Sequence, residues 1–219
     1  MFYFDNFNGQ KVLKSDLITE VTAFFTTRNV TPEKLNLGCQ ILSPNQTHSD
    51  NVEIVDERDE YPDTDGLILT SKNKAICLRF ADCTPLIFYD TKNKIGAISH
   101  AGWRGTVARI GVKTVEKMGV NFGTKPENIK ALIGPAISIC CYEVGDDVKE
   151  QLLSTVKNTN GLYNGNFVDL KQINAHQLQE IGITQIDIAP YCTCCNNDLF
   201  YSYRKENETK NRHYAILKL

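Results

Sequence analysis

Two apolar runs of strand length, Pro85 to Tyr89 and Ile95 to Ser99, flank the short polar segment Asp90-Thr91-Lys92-Asn93-Lys94. A polar connection that short between two strand-like runs predicts a hairpin. Its outer ends are Ala81-Asp82-Cys83-Thr84-Pro85 and His100-Ala101-Gly102-Trp103-Arg104-Gly105. Folding therefore brings Cys83 beside His100 although the two are far apart along the chain. A thiolate and an imidazole are ligand types that zinc favours, and an open catalytic site needs one more protein ligand. The chain has four histidines. His48, on the loop Asn45-Gln46-Thr47-His48 between Pro44 and a strand over Val52 to Val55, is the candidate third ligand. A rival reading makes Cys83 an attacking thiolate with His100 as its base, and metal content separates the two.

The rest of the chain predicts strands at Phe2 to Phe4, Val21 to Thr27, Leu37 to Leu42, Leu67 to Leu69, Ala75 to Phe80, Ile129 to Ile133, Ile183 to Ile188, Leu199 to Tyr203 and His213 to Leu217. Asp65-Gly66 reads as a turn, and Arg28 closes a strand where a side chain can enter a cleft. After Gly105, Val107, Ile110, Gly111, Thr114, Val115 and Met118 share one helical face. His100 and Arg104 then precede a helix N-terminus, which with the Arg104 charge makes an anion-binding corner. Helices are also expected over Asp146 to Val156 and Asp169 to Ile181. Glu143 is either a carboxylate for the cleft or part of the acidic helix start at Asp146-Asp147. Strict alternation of strand and helix fails, so the expected class is α+β, with mixed sheets and hairpins flanked by helices in one domain over 1–219.

A formal net charge of −2, with no basic stripe or run of like charges, argues against a nucleic-acid or membrane-surface partner and for a small-molecule one. The first residues lack the basic and apolar regions of a signal peptide, and no apolar stretch is long enough for a membrane span, so a cytoplasmic monomer or homodimer is expected. Eight cysteines in such a compartment read as buried thiols, ligands or catalytic groups. Cys192-x-x-Cys195 is half of a zinc-knuckle pattern, but Cys140-Cys141 are adjacent rather than spaced to match, which argues against a structural metal there. The zinc-deaminase signature fails at both halves, since Ser49-Asp50 follows His48 and Tyr191 separates Pro190 from Cys192. Copper is disfavoured by counting: the methionines are Met1 and Met118, and the histidines are too few for a multicopper oxidase.

Several segments together resemble a known family. They are Phe25-Thr26-Thr27-Arg28, Gln46-Thr47-His48, Asp65-Gly66, the two hairpin-end motifs, Gly134-Pro135-Ala136-Ile137 with Cys141-Tyr142-Glu143-Val144, and Phe200-Tyr201-Ser202-Tyr203-Arg204. In this order they resemble the YfiH-like, laccase-domain proteins, which include bacterial purine nucleoside phosphorylases and the peptidoglycan editing factor. The segment between Arg28 and Gln46 is shorter than in typical members. The resemblance implies αββα layers and zinc on His48, Cys83 and His100. It also implies phosphorolysis of adenosine, inosine, guanosine and methylthioadenosine, with deamination of adenosine in the same cleft. Arg28, Arg104 and Arg204 are then the candidate phosphate ligands, Gln46 a further substrate contact, and Asp82 or Glu143 the proton carrier beside Cys83. The alternative within the family is a cytoplasmic amidase that edits peptidoglycan precursors of the UDP-MurNAc-amino acid type.

Overall fold

The computed structural model describes all 219 residues. The chain begins with β1 (Phe2–Phe7), β2 (Gln10–Ser15) and β3 (Thr22–Thr26), followed by a 3-10 turn at Pro32–Leu35, β4 (Gln40–Leu42) and β5 (Val52–Ile54). Then come β6 (Gly66–Leu69), β7 (Lys74–Phe80), β8 (Thr84–Asp90), β9 (Ile95–Ala101), α1 (Trp103–Val107) and α2 (Ile110–Phe122). The remainder is β10 (Ile129–Ile133), α3 (Asp146–Leu153), β11 (Tyr163–Asn164), β12 (Phe167–Val168), α4 (Leu170–Glu180), β13 (Gln185–Ile188) and β14 (His213–Lys218).

The α+β expectation is met by two six-stranded mixed sheets, ordered β1-β2-β3-β14-β7-β4 and β13-β10-β8-β9-β6-β5. Their inner faces share one core, in which Leu13, Phe25, Leu78 and Phe80 of the first sheet meet Leu67, Ile87, Ile98 and Leu132 of the second. The outer face of the second sheet, with Ile68, Phe88 and Ala97, is covered by Ile110, Val115 and Met118 of α2 and by Ala175 and Leu178 of α4. The outer face of the first sheet packs on the 3-10 turn and its flanks through Leu35 and Leu37, so a turn stands where αββα layering would put a helix. β8 and β9 are buried at every position, which explains why both read as unbroken apolar runs rather than alternating ones.

The predicted hairpin is present, with Pro85 opposite His100 and Thr84 opposite Ala101. β6 lies on the other side of β9, Gly66 opposite Ser99, so residues 65, 83 and 100 gather at one end of three adjacent strands.

Four readings need correction. The β1–β2 hairpin was not expected beyond Phe4, yet Asn8-Gly9 at its tip has φ values of 49° and 82°, the backbone that an Asn-Gly two-residue turn requires. Residues 199–203 lie in a turn region rather than a strand, because Leu199 N and Phe200 N both donate to the Asn196 carbonyl and Ser202 N donates to the Glu206 carboxylate instead of to a neighbouring strand. Asp65-Gly66 is not a turn: Gly66 opens β6 and Asp65 is fully buried. The helical stretch starts earlier, at Trp103 after Gly102, and is broken at Arg109, where φ is 59°.

Candidate metal centre and its cavity

The centre is built from Asp65 outward. Its carboxylate, with no exposed surface, accepts from the backbone N–H groups of Thr47 (3.0 Å), His48 (3.1 Å) and Ser49 (2.8 Å), and from the Ser49 hydroxyl (2.9 Å). The same carboxylate holds His100 Nδ1 at 2.6 Å, and its backbone carbonyl accepts from His100 N at 2.7 Å. One buried side chain thus fixes both the loop that carries His48 and the ring of His100. His48 adopts a φ of 64°, an unusual backbone for a residue with a side chain, and the three N–H contacts from residues 47–49 hold the loop in it.

With Nδ1 engaged, His100 presents Nε2 outward, the arrangement of a metal-ligating imidazole backed by a carboxylate. The donor atoms of His48, Cys83 and His100 all lie within 4.8 Å of one another, and the two rings stand 4.8 Å apart at 69°. Gly102 leaves room beside them: a Cβ there would sit 3.0 Å from Cys83 Sγ and 3.1 Å from His48 Cδ2 and would push on both donors. Nitrogen, nitrogen and sulfur donors converging on one point with a carboxylate behind one imidazole fit a three-ligand zinc site. They do not fit the His₂Cys copper site with an axial methionine, since Met118 of α2 is buried in the outer core and Met1 is exposed ahead of β1.

The electrostatics favour a deprotonated sulfur. Burial pushes the Cys83 thiol up, but the His100 and His48 rings more than offset this and bring it down to about 6. Burial disfavours the charged form of His100, while the Cys83 sulfur and the Asp65 carboxylate outweigh it and raise the ring to about 9. Without a metal the pair is therefore thiolate and imidazolium around neutrality, so an ion taken up by these donors would displace a proton from the imidazole.

The three donors open into a cavity of about 500 Å³ whose wall includes Gln46, Arg79, Tyr142, Arg204, Lys210 and Arg212. Its rim is strongly cationic. Arg204 of the candidate phosphate ligands is here, its Nη2 donating to the Glu143 carbonyl at 3.1 Å. Gln46 is here too, but both ends of its amide are paired with the Arg79 backbone, at 3.0 and 2.9 Å, so it fixes the end of β7. Arg79, Lys210, Arg212 and Tyr142 were not expected. The cations come from a strand end and from loops, where nothing in the sequence pattern marks a common destination.

Other candidates lie elsewhere. Arg28 does not reach the cavity: its fork pairs with Glu206 (2.9 and 3.2 Å), donates to the Asn197 carbonyl and stacks over Tyr201 at 4.2 Å. Arg104 stacks over Trp103 at 4.3 Å and is absent from the cavity wall, because the helix begins one residue before it rather than after it. The Glu143 side chain is exposed and off the wall; its backbone meets Phe167 and Arg204 instead. Asp82 lines the cavity but its carboxylate is committed, accepting from the Thr193 hydroxyl (2.6 Å) and from Arg204 N (2.7 Å). That occupancy corrects the reading of Asp82 as a free proton carrier.

Two mixed sheets with a three-donor centre at the strand ends and a cationic cavity above it define a small-molecule site of metal-ligating type. The family model described as multi-copper polyphenol oxidoreductase laccase matches residues 19–219, and the chain belongs to that family. Purine nucleoside phosphorylase YlmD of Bacillus subtilis is 35% identical over 192 residues, covering 78% of this chain and 68% of the relative. Adenosine deaminase RL5, from an unknown prokaryotic organism, is 33% identical over 193 residues, covering 80% and 73%. Among solved structures, the Bacillus licheniformis hypothetical protein YfiH superposes with a TM-score of 0.89 at 28% identity, over 100% of this chain and 98% of that one. YlmD of Geobacillus stearothermophilus gives a TM-score of 0.89 at 24% identity over 100% and 99%, a likeness of fold. No helix is long and apolar enough to cross a membrane.

Proposed function

We propose that this chain is a zinc-dependent, cytoplasmic purine nucleoside phosphorylase, acting on adenosine, inosine, guanosine and methylthioadenosine, that also deaminates adenosine in the same cavity. The observation that carries the reading is the His48, Cys83 and His100 donor set opening directly into a cavity ringed by Arg79, Arg204, Lys210 and Arg212. The names of the phosphorylase and deaminase relatives support it. Zinc held by these three residues supplies Lewis-acid polarisation and activation of water at neutral pH.

In phosphorolysis a phosphate oxygen bonds to ribose C1′ as the glycosidic bond breaks, and the bonding electrons leave on the base nitrogen, which takes up a proton. Guanidinium forks and a lysine match the phosphate oxygens and hold them under C1′. Burial raises the Tyr142 hydroxyl well above its ordinary range, so it keeps its proton and donates from Oη to a heteroatom of the base. Asp82 is a positioning residue: it fixes the Arg204 backbone and, through Thr193, the neighbouring loop. In deamination water adds at purine C6 and ammonia leaves, and the cationic rim has no partner in that reaction.

The chain of contacts Asp65–His100–Cys83 is also what a thiol nucleophile with an oriented base requires, and it favours one second reading, the amidase acting on UDP-MurNAc-amino acid precursors. Base release from inosine, with and without phosphate, by protein of measured zinc content decides between them. Phosphate-dependent release that Cys83→Ala abolishes is the expected result. No release from the zinc-loaded protein, with cleavage of the precursor amide in the absence of phosphate, would replace the phosphorylase by the amidase.

A further inference from the structure

A second group of metal-type ligands lies outside the centre described above. Cys140, Cys141, Cys192 and Cys195 place four sulfurs within 4.8 Å of one another, with Cys195 Sγ 3.5 Å from Cys140 Sγ and 3.4 Å from Cys141 Sγ. Four thiolates at Zn–S bonds of ~2.3 Å in a tetrahedron stand about 3.8 Å apart, and the separations here, none above 4.8 Å, are within a small adjustment of that spacing. All are free thiols. We propose that these four cysteines form a second, structural zinc site, a tetrathiolate centre that ties the loop after β10 to the loop after β13.

The topology explains why residues so distant in sequence meet. β10 and β13 are parallel neighbours, Ile133 opposite Ile188, so both chains leave the sheet at the same end. Pairing continues past the strands: Ala189 N donates to the Ile133 carbonyl at 2.8 Å, Thr193 N to the Ala136 carbonyl at 3.1 Å, and Ala136 bridges Cys192. Adjacent thiols in a strand would point to opposite faces. Cys140 and Cys141 lie instead in a turn closed by bonds from Cys141 N and Tyr142 N to the Ser138 carbonyl, which lets both approach one point. The adjacency that argued against a site in the sequence is therefore compatible with one.

Two further observations point to an ion. The Cys192 sulfur, buried, accepts from Ser138 N at 3.4 Å, so a backbone N–H from the loop after β10 is aimed at the sulfur on the loop after β13. Lys171, only 5% exposed, donates to the carbonyls of Ala189 (2.8 Å) and Tyr191 (3.2 Å) beside Cys192 and has no carboxylate in ion-pair contact. Four thiolates around a divalent cation carry net negative charge, and this ammonium is placed to balance it. Cys140 and Cys195 are exposed, giving the ion a way in. All-sulfur donors select zinc over oxygen-seeking cations. Sulfurs this close to one point hold a single ion rather than a cluster of irons spread between them.

The test is a metal count that does not depend on activity. Protein purified without chelator should carry about two zinc ions per chain, with about one in Cys195→Ser or Cys192→Ser and about one in His100→Ala, each site losing its own ion. Cobalt exchanged into Cys83→Ala should give the intense sulfur-to-metal charge transfer of a tetrathiolate, and the double variant with Cys195→Ser should lose it. If the cysteine variants do not fold, alkylation of the wild type serves instead: Cys140, Cys141, Cys192 and Cys195 should be protected until a strong chelator is added. About one zinc per chain in wild type and unchanged in Cys195→Ser, alkylation of the four thiols without chelator, or disulfides among them by mass spectrometry would each overturn the proposal.

Discussion

The two groups of soft ligands are assembled in opposite ways. Cys83 and His100 meet at the ends of β8 and β9 by register, and Asp65, just before β6, holds the loop that brings His48 to them. The four thiols and the cationic rim stand mainly on loops, held by turn hydrogen bonds and by the parallel exit of β10 and β13. The first arrangement fixes geometry before any ion binds. The second leaves the loops able to part unless something holds them, so a metal would contribute rigidity there and chemistry at the strand ends.

Substitutions at the strand-end centre should have the largest effects. Cys83→Ala should reduce phosphorolysis and deamination to background and remove one zinc per chain while leaving the tetrathiolate ion in place, checked by zinc analysis beside both assays. Asp65→Asn tests the frame itself. It keeps the shape but weakens what holds His48 and His100 together, and loss of such a backing group lowers metal affinity by roughly 10–100-fold. Competition with a zinc chelator measures it. An unchanged affinity would mean that the strand ends alone preorganise the donors.

How much of this could be read in the sequence follows the same division. The β8–β9 hairpin was legible because a polar segment separates two buried runs, and pairing its ends needs only that register. His48 followed from ligand arithmetic. Asp65 was missed because its side chain works across the fold, on residues 47–49 and 100, while locally it sits before a glycine and resembles a turn residue. Arg28 and Arg104 were misplaced for a related reason. A guanidinium at an element end points wherever its partner lies, and Glu206 and Trp103 are the partners that matter. Arg79, Lys210 and Arg212 reach the cavity through tertiary structure that no periodicity encodes.

The rim predicts a split between the two reactions. Each charge-assisted contact to phosphate contributes ~1.5–3 kcal/mol, so Arg212→Ala or Arg79→Ala should raise the phosphate KM by about 10–100-fold while adenosine deamination stays near wild type. Arg104→Ala, with its side chain on Trp103, should leave the phosphate KM unchanged. Arg28→Ala should lower Tm through loss of the Glu206 pair and its carbonyl contacts, without a selective effect on phosphate. Equal loss of both reactions in the Arg79 and Arg212 variants would show that the loops of the rim shape the whole cavity rather than binding phosphate.

The smallest effect tests the rigid side of the comparison. His213 at the start of β14 is fully buried between Phe80 and Phe200, with ring centroids at 6.4 and 5.4 Å, and both of its nitrogens lack a hydrogen-bond partner; the Pro135 carbonyl faces the ring without completing one. Phe80 in turn packs 5.3 Å from the His100 ring, so this residue supports the strand-end centre from below. Burial is the main cause that lowers the His213 pKa to about 3. The unfolded chain takes up a proton here below about 6.5 while the folded one does not, so stability falls as pH drops from about 6.5 towards 3, by ~1.4 kcal/mol per pH unit for this group. Above that window the ring is neutral in both states and has no effect on the slope. His213→Phe fills nearly the same volume without a titrating group, and its unfolding free energy in urea should decline less steeply between pH 6 and pH 4 than that of the wild type. Parallel declines would show that His213 is not the source of the acid sensitivity in that window; Asp65, whose folded-state pKa is depressed to about 2, gives up its contribution only below its ordinary value near 3.8.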